Sequence, residues 1–286
     1  MITLFFSLYY RMNTLKTDFD ANGFLIIPDF YSAGDCNKLI DRAAALSRSF
    51  DYKGQASVFQ TNDQARTSDG YFLASGDDIS FFFEKDAFDE KGNLRQPVEK
   101  SLNKIGHAMH DLDPVFDAFS RSPKIKQLAH DLELDDYLII QSMYIFKHAK
   151  IGGMVDVHQD STFLYTEPDS CIGFWFALED ATAKNGCLWA KPGGHLTPLR
   201  ERFHRNDTGG TTMEKADPSP VNIDEMQALE VKKGTCIVLH GLLPHYSLPN
   251  TSGRSRQAYS IHAINGKAVY AKDNWLQRTQ FPLRGF

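Results

Sequence analysis

The residues whose types and spacing best suit chemistry are His158 and Asp160, which flank Gln159. On a β-strand, residues i and i+2 point to the same face, so an imidazole and a carboxylate can reach one metal ion from one rigid element. With a second histidine from elsewhere, this set leaves three positions of an octahedral Fe(II) open, enough for a bidentate co-substrate and dioxygen. A His-x-Asp pattern alone is a weak signal, and we expect roughly one case in ten to bind metal.

A third ligand must come from the remaining histidines of the chain, which has ten in all. Most occupy positions where a structural role is the simpler expectation, on predicted helices, near turns, in a polar segment or inside the last strand: His107, His110, His130, His148, His195, His204 and His262. His240 and His245 remain, and both follow a predicted strand over residues 235–239. The residues alone leave this choice open.

Two polar residues beyond His245 fit the co-substrate 2-oxoglutarate, which carries a carboxylate remote from its keto group. Ser247 lies two residues after His245, and Arg256 lies in the next predicted strand. The planar fork of an arginine binds a carboxylate with two hydrogen bonds, and a nearby hydroxyl adds another. A surface role is the simpler alternative for Arg256, because Arg254 lies on the same strand.

The first part of the chain mixes helices and strands, and the later part consists mainly of short strands. The pattern predicts a strand over residues 24–27 and helices over 32–47, 98–110 and 123–132. Five more strands follow, with turn signals between them, over residues 137–146, 173–178, 187–190, 235–239 and 257–263. Many short strands at this spacing favour an antiparallel sandwich or barrel.

The domain organisation is predicted to be simple. We expect residues 1–12 to be an N-terminal extension, because they lack a signal peptide's basic start and cleavage site and Met12 can serve as an alternative start. Residues 13–286 then form a single domain. The polar residues 197–230 are predicted to be a long surface insertion, and loops of this length often cover a functional site.

Composition excludes several classes of function. The net charge is −5, and no run of five or six like charges is present, which argues against a nucleic-acid partner. The N-terminal apolar run is too short to cross a membrane. The four cysteines lie far apart and are expected to be buried free thiols in a reducing compartment, so we predict a cytoplasmic protein. A small-molecule substrate and no obligate protein partner are expected.

Several stretches of the sequence carry a family resemblance: Asn22–Phe30, Phe81–Lys85, Ser101–His107, Gln141–Lys147, His158–Asp160, Phe163–Pro168, Glu179–Thr182, Asn185–Trp189, Arg254–Tyr259 and Asn274–Gln277. Asn185-Gly-Cys-Leu188, together with Pro192-Gly-Gly-His195, is the most specific part, although the family has Pro-Gly-Ser-His at the second motif. On these stretches, the chain resembles the phytanoyl-CoA dioxygenase family from about residue 15 to its end.

The resemblance implies a mainly β fold with flanking helices, a double-stranded β-helix of the jelly-roll or cupin type. It assigns His158, Asp160 and His245 to Fe(II), and so favours His245 over His240. It places Arg256 and Ser247 on the remote carboxylate of 2-oxoglutarate. It also places three further residues in the co-substrate pocket, Lys104, Met143 and Trp175.

The activity implied is that of a dioxygenase, which couples decarboxylation of 2-oxoglutarate to succinate with hydroxylation of a small, lipid-like molecule. O2 would be the oxidant, and ascorbate would support the reaction. Two alternatives remain open from the residues: a zinc hydrolase on the same His/Asp/His face, and a non-catalytic barrel protein.

Aromatic residues would shape an apolar pocket or fill the core (Phe81, Phe82, Phe83, Phe163, Tyr165, Phe174 and Trp175).

Overall fold

Short β-strands make up most of the regular structure. The computed structural model describes residues 14–52, 57–58 and 70–286. Numbered along the chain, the strands are β1 (Phe24–Ile27), β2 (Ile79–Phe83), β3 (Leu102–His107), β4 (Tyr137–Ile145), β5 (Val155–His158), β6 (Thr166–Glu167), β7 (Ile172–Ala177), β8 (Leu188–Ala190), β9 (Glu201–Arg205), β10 (Thr211–Lys215), β11 (Gln227–Leu229), β12 (Cys236–His240), β13 (His245–Ser247), β14 (Ala258–Asn265), β15 (Val269–Tyr270) and β16 (Arg284–Gly285).

Helices are few and mostly short. They are α1 (residues 14–22), α2 (Ala33–Ser49), α3 (Gly70–Ala74), α4 (Met109–Leu112), α5 (Pro114–Ser120) and α6 (Pro123–Asp131). Within the described ranges, each helix is too short or too polar to cross a bilayer. The four cysteines are buried and unpaired, as predicted.

Two antiparallel sheets face each other. The larger sheet has eight strands in the order β1-β12-β7-β14-β4-β3-β2, with β16 also paired to β4. The smaller has four in the order β11-β8-β13-β5. Apolar side chains from β7 and β12 pack against others from β8 and β11, so the inner faces of the two sheets enclose a common interior. This is the arrangement expected of a jelly-roll barrel.

Side chains alternate across the larger sheet because successive residues of a strand point to opposite faces. On its outer face, Phe174 and Phe176 of β7 and Tyr259 and Ile261 of β14 join a core that includes side chains of α2, α5 and α6. The intervening residues, such as Trp175, point into the interior between the sheets. The helices therefore cover the outer face and leave the inner face for a site.

Most of the predicted elements are confirmed. The strand over residues 24–27 and the later strands β4, β7, β8, β12 and β14 match within two residues at each end. Helix α2 begins as expected, because the Ser32 side chain caps it by accepting a hydrogen bond from the Asp35 amide. The proposed extension over residues 1–12 lies outside the described residues.

The helix predicted over residues 98–110 is wrong. Only Val98–Lys100 forms a short 3-10 helix, and Leu102–His107 is strand β3, which places Lys104 in the sheet. The apolar side chains at 102 and 105 fit a helical face by spacing. However, β3 lies between β2 and β4, and the hydrogen bonds with both neighbours override this local pattern.

Residues 197–230, predicted as a surface insertion, contain three strands. β9 and β10 form a hairpin, with a turn at Gly209, whose φ of +83° favours glycine. β11 pairs with β8 and so forms one edge of the smaller sheet. On the hairpin, Phe203 is buried and contacts Phe163, with ring centroids 5.7 Å apart. The polar segment therefore contributes to the barrel and to its interior.

A buried ion network fixes the C-terminal segment against the sheet. The Arg278 guanidinium donates to Asp111 over 2.6 Å, to Asp77 over 3.2 Å and to the carbonyl of Ile140 over 3.0 Å. Its side chain is only 2% exposed. Trp275 lies three residues earlier and stacks on Phe72, with ring centroids 4.2 Å apart. The network thereby holds an aromatic wall of the interior in place.

We predict that Arg278→Met lowers the free energy of unfolding by about 3–5 kcal/mol, because it removes the cation that pairs with the buried Asp77 and one of the three arginines that pair with the buried Asp111. Urea unfolding followed by circular dichroism measures this loss. The matched control is Lys232→Met, which breaks the exposed pair with Asp180 and should change stability by less than about 1 kcal/mol. Equal losses in the two variants would contradict the prediction.

Candidate metal centre and adjoining cavity

The three predicted metal ligands lie together at one edge of the smaller sheet. His158 ends β5, His245 begins β13, and the two are direct partners in the antiparallel register. The His-x-Asp pattern predicted that Asp160 lies on the same strand as His158. In the structure the strand ends at His158, and Asp160 begins a 3-10 helix. Its Oδ1 lies 3.5 Å from Nε2 of His158 and 3.8 Å from Nε2 of His245. One ligand atom from each residue lies within 4.8 Å of the other two.

Backbone carbonyls fix how the two imidazoles face the carboxylate. Nδ1 of His158 lies 2.8 Å from the carbonyl oxygen of Asp156, and Nδ1 of His245 lies 3.0 Å from that of Leu243. A carbonyl can only accept, so each ring donates from Nδ1 and keeps a lone pair on Nε2. Two lone pairs and a carboxylate oxygen at this spacing repel one another unless a cation lies between them. Such backbone partners are typical of histidines that bind metals.

The electrostatics favour a carboxylate beside a neutral imidazole. Burial alone would raise the pKa of Asp160, but His262, His245 and His158 hold it well below its usual range. Burial lowers the pKa of His245 to about 4, and the neighbouring His158 adds to this. Burial also acts to lower the pKa of His158, but the hydrogen bond and charge of Asp160 outweigh it and raise the pKa. The cluster thus has a carboxylate and a neutral imidazole, and a divalent cation would replace the proton that Asp160 favours on His158.

A fourth histidine, His262, supports the carboxylate from the larger sheet. Its Nε2 lies 3.1 Å from Oδ2 of Asp160, and its Nδ1 lies 3.1 Å from Nε2 of Gln141. The Gln141 amide nitrogen can only donate, so Nδ1 accepts and Nε2 carries the hydrogen that faces Asp160. Gly173 completes the contact, because a Cβ there would lie 3.1 Å from Oδ2 of Asp160 and 3.3 Å from Nε2 of His262.

Sequence reasoning missed this support, since it treated His262 as an ordinary strand residue. The signal lies in strand register, which a single sequence does not show. His262 of β14 is the direct partner of Gly173 on β7 and of Gln141 on β4. The three residues therefore form one row across the inner face of the larger sheet, directly behind Asp160.

A cavity of about 160 Å³ adjoins the cluster. All the residues predicted for the co-substrate pocket line it together with the three predicted ligands: Lys104, Met143, Trp175, Ser247 and Arg256. Register again explains their convergence. Ser260 of β14 pairs with Trp175 on one side and with Met143 on the other, one row away from His262.

Arg256 lies at the cavity with donor capacity to spare. Its side chain is 1% exposed, and its Nε donates to the carbonyl of Gly186 over 2.9 Å. Its Nη1 is buried without a partner among the described residues. The guanidinium lies over the Trp175 ring at 5.3 Å, and burial lowers its pKa to about 10. The arginine is therefore not a surface residue, and it is placed to receive an anion.

Lys104 is a buried cation of the sheet. Its Nζ lies 3.8 Å from Sδ of Met143 and over the rings of Phe72 and Phe82, at 5.7 Å and 5.4 Å. Burial lowers its pKa to about 7. Lys104 is therefore not a solvent-exposed charge on a helix, which was the simpler expectation for this residue.

His240 lies apart from the cluster. It ends β12 of the larger sheet, and its Nδ1 accepts a hydrogen bond from the Leu242 amide over 3.1 Å. Its ring packs against Phe19 and His195, with centroids 6.1 Å and 5.0 Å away. The choice between the two histidines therefore falls on His245 by geometry as well.

The predicted aromatic wall is divided between cavity and core. Phe163 and Trp175 line the cavity, whereas the side chains of Phe81, Phe83 and Phe174 belong to the core on the helix-covered side of the sheet. The hairpin adds two cavity residues that the sequence did not indicate, Phe203 and Met213. Phe72 and Trp275 complete this apolar end.

Solved structures share the fold. The epimerase SnoN in complex with Fe3+, alpha ketoglutarate and nogalamycin RO superposes with a TM-score of 0.62 at 16% identity, covering 91% of this chain and 86% of that one. AviO1 from Streptomyces viridochromogenes Tue57 gives a TM-score of 0.61 at 20% identity, covering 91% and 97%. The expected double-stranded β-helix is thereby confirmed.

Sequence relatives match along nearly the whole chain. A phytanoyl-CoA dioxygenase of Arabidopsis thaliana is 45% identical over 265 residues, which cover 92% of this chain and 93% of the relative. The mouse (Mus musculus) phytanoyl-CoA dioxygenase domain-containing protein 1 is 42% identical over 271 residues, covering 91% and 93%. The family model for phytanoyl-CoA dioxygenase (PhyH) matches residues 19–258. The chain therefore belongs to the phytanoyl-CoA dioxygenase (PhyH) family.

Proposed function

We propose that this protein is an Fe(II)- and 2-oxoglutarate-dependent dioxygenase that hydroxylates a small, largely apolar molecule. His158, Asp160 and His245 would hold the metal, and Arg256 with Ser247 would bind the remote carboxylate of 2-oxoglutarate. The observation that carries the proposal is that a His/Asp/His cluster and a buried arginine with an unpartnered Nη1 line one cavity.

The donor set fits Fe(II). Two imidazoles and one carboxylate are the ligands of non-haem iron oxygenases, and they leave positions for a chelating co-substrate and dioxygen. Bound there, Fe(II) would supply the activation of O2 that couples decarboxylation of 2-oxoglutarate to hydroxylation, with ascorbate keeping the metal reduced. The role of the chain is to keep Nε2 of both histidines available and Asp160 ionised.

The cavity fits 2-oxoglutarate at its other end. The Arg256 guanidinium offers its unpartnered Nη1 to a carboxylate, and the Ser247 hydroxyl lines the same wall. Trp175 and Met143 flank the path between this end and the metal ligands. Lys104, whose Nζ touches Met143, adds positive charge along that path. A dianion is thus matched by buried cations and by apolar walls that exclude water.

The apolar end of the cavity suggests the class of substrate. Phe72, Phe203 and Trp275 surround a mostly apolar space. His107 adds one polar atom, since its Nδ1 donates to Ser75 and its Nε2 is buried without a partner among the described residues. A compact, lipid-like molecule with one hydroxyl or N–H group fits this lining. An extended CoA thioester finds no cluster of basic residues for its phosphates in the sequence.

The same observations bear on the two alternatives. A zinc hydrolase needs a metal-bound water and a general base, and it has no use for a buried arginine that awaits a carboxylate. A non-catalytic barrel has no need for three ligand side chains whose free lone pairs converge. The cavity as a whole therefore favours the oxygenase.

We predict that Asp160→Ala lowers succinate release from 2-oxoglutarate at least about 100-fold, because the remaining histidines hold the metal too weakly. The assay supplies Fe(II), O2 and ascorbate, and EDTA should abolish the wild-type activity. Asp136→Ala is the control, since that carboxylate is exposed and pairs only with Lys267 among the described residues. Equal release by wild type and Asp160→Ala would end the metal assignment.

We expect Arg256→Ala to raise the KM for 2-oxoglutarate about 10- to 100-fold, because it removes a charged hydrogen bond of about 1.5–3 kcal/mol. Initial rates of succinate release at varied 2-oxoglutarate give this constant. Arg254→Ala changes an exposed arginine of the same segment and should leave it unaltered. An unaltered KM in Arg256→Ala would mean that another cation binds the carboxylate.

His262 is predicted to position Asp160 without touching substrate. His262→Ala should weaken Mn(II) binding about 10- to 100-fold, as is typical for partners of metal ligands. Changes in water proton relaxation on titration with Mn(II) measure this affinity. His262→Gln, which can still donate to Oδ2, should recover part of it, whereas His130→Ala on the surface should have no effect. Identical affinities for wild type and His262→Ala would contradict a positioning role.

A further inference from the structure

Lys147 is a second buried cation at the end of the cavity where Arg256 lies. It follows β4 and continues the inward-facing series of Gln141, Met143 and Ile145, all of which line the cavity. Its side chain is buried, with 2% of the residue exposed. Arg256 is its neighbour on the next strand, because the Arg256 amide donates to the Lys147 carbonyl over 3.1 Å. Two cations therefore border one end of the cavity.

The local backbone is shaped to hold this lysine. Lys147 has a φ of +41°, which is uncommon for a residue with a side chain. The Asn250 amide donates to its carbonyl over 2.9 Å and keeps it in this conformation. A Cβ at Gly186 would collide with the Lys147 side chain, and a Cβ at Gly152 would lie 2.8 Å from its carbonyl carbon. Strained residues of this kind cluster at functional sites.

Among the described residues, the hydrogen bonds of Lys147 leave one N–H donor of its ammonium group unused. Its Nζ donates to the carbonyl of Gly153 and to the hydroxyl of Ser247, each over 2.8 Å. An ammonium has three N–H donors, so these partners account for two of them. The Ser247 hydroxyl accepts from Lys147, which leaves its own hydrogen for another acceptor. Lysine and serine together thus offer two donors at the cavity that Arg256 also lines.

Charging Lys147 beside the buried Arg256 guanidinium is unfavourable without an anion. Glu84 is the nearby carboxylate, and burial raises its pKa, which weakens its ability to balance two charges. A ligand carboxylate between the three donors would provide the balance. The arrangement is that of a subsite shaped for an anion.

We propose that Lys147 is a second cation of the subsite for the remote carboxylate of 2-oxoglutarate, and that it acts both directly and by orienting the Ser247 hydroxyl. This inference rests on the proposed function. It makes the subsite selective for 2-oxo acids that carry a second carboxylate.

The subsite also couples binding to proton uptake. Burial and the charge of Arg256 lower the pKa of Lys147 to about 6, so at pH 8 the empty site holds a neutral amine. A neutral amine uses both N–H groups on Gly153 and Ser247 and turns a lone pair to the ligand. Binding a carboxylate therefore requires the ammonium form, and affinity should fall as the pH rises above 6. The other groups that face Lys147 are Glu84 and Cys187, and burial raises the pKa of that thiol to about 11.

The test compares Lys147→Met with wild type in equilibrium binding to the Mn(II)-loaded full chain. Isothermal titration calorimetry at pH 6, where the ammonium form of Lys147 is populated, measures the Kd for 2-oxoglutarate and for 2-oxobutyrate, which lacks the remote carboxylate. The variant should bind 2-oxoglutarate about 10- to 100-fold more weakly and 2-oxobutyrate equally well. Lys150→Met, an exposed lysine three residues away, is the matched control.

Titrations in buffers of different ionisation enthalpy provide a second measurement, which a merely structural lysine would not affect. At pH 8, wild type should take up a proton on binding 2-oxoglutarate, and Lys147→Met should lose the part of that uptake that is due to the lysine. Any proton uptake by Glu84 should persist in the variant. Equal Kd values and equal uptake in the two proteins would overturn the role of Lys147 alone. Failure of wild type to bind 2-oxoglutarate would overturn the proposed function, and this inference with it.

Discussion

The candidate site depends on one strand pairing, that of β5 with β13 in the smaller sheet. This pairing places His245 directly opposite His158, although 86 residues separate them in the chain. A shift by one residue would turn one imidazole to the other face of the sheet and separate the pair. The carbonyls of Asp156 and Leu243 then fix both rings, so backbone geometry determines which nitrogens face Asp160.

The larger sheet completes the site through rows of side chains that lie across its strands. One row holds Gly173, His262 and Gln141 behind Asp160, and the next holds Trp175, Ser260 and Met143. Arg256 lies beyond them, at the end of the same interior. The interior between the sheets therefore has the Asp160 carboxylate on one part of its wall and the Arg256 guanidinium on another. The distance between these charged groups is set mainly by the strands, which are more rigid than loops. This arrangement favours a ligand whose own charged groups have a fixed separation.

The sequence predicted the strands and the types of candidate ligand better than it predicted which strands pair and which side chains contact one another. Hydrophobic runs bounded by turns located β7 and β14 because both are buried on two faces, and Ser32 located the start of α2 through its cap. The same reasoning failed for β3, whose apolar spacing suits a helix and whose strand form depends on two neighbours distant in sequence. His262 and Lys147 were missed for a related reason. Each acquires its role from a residue on another strand, and such pairings are not visible in one sequence.

The hairpin of β9 and β10 shows how a polar segment can determine what a barrel accepts. Its outer residues pair in exposed salt bridges, such as Lys215 with Glu201, and contribute little to stability. Its inner residues, Phe203 and Met213, pack in one cluster with Phe72 and Trp275 and line the cavity. The two candidate histidine ligands lie on paired strands of the smaller sheet, whereas this wall comes from a hairpin with its own small sheet. Changes in the hairpin can therefore alter the shape of the cavity without displacing the paired strands that carry His158 and His245.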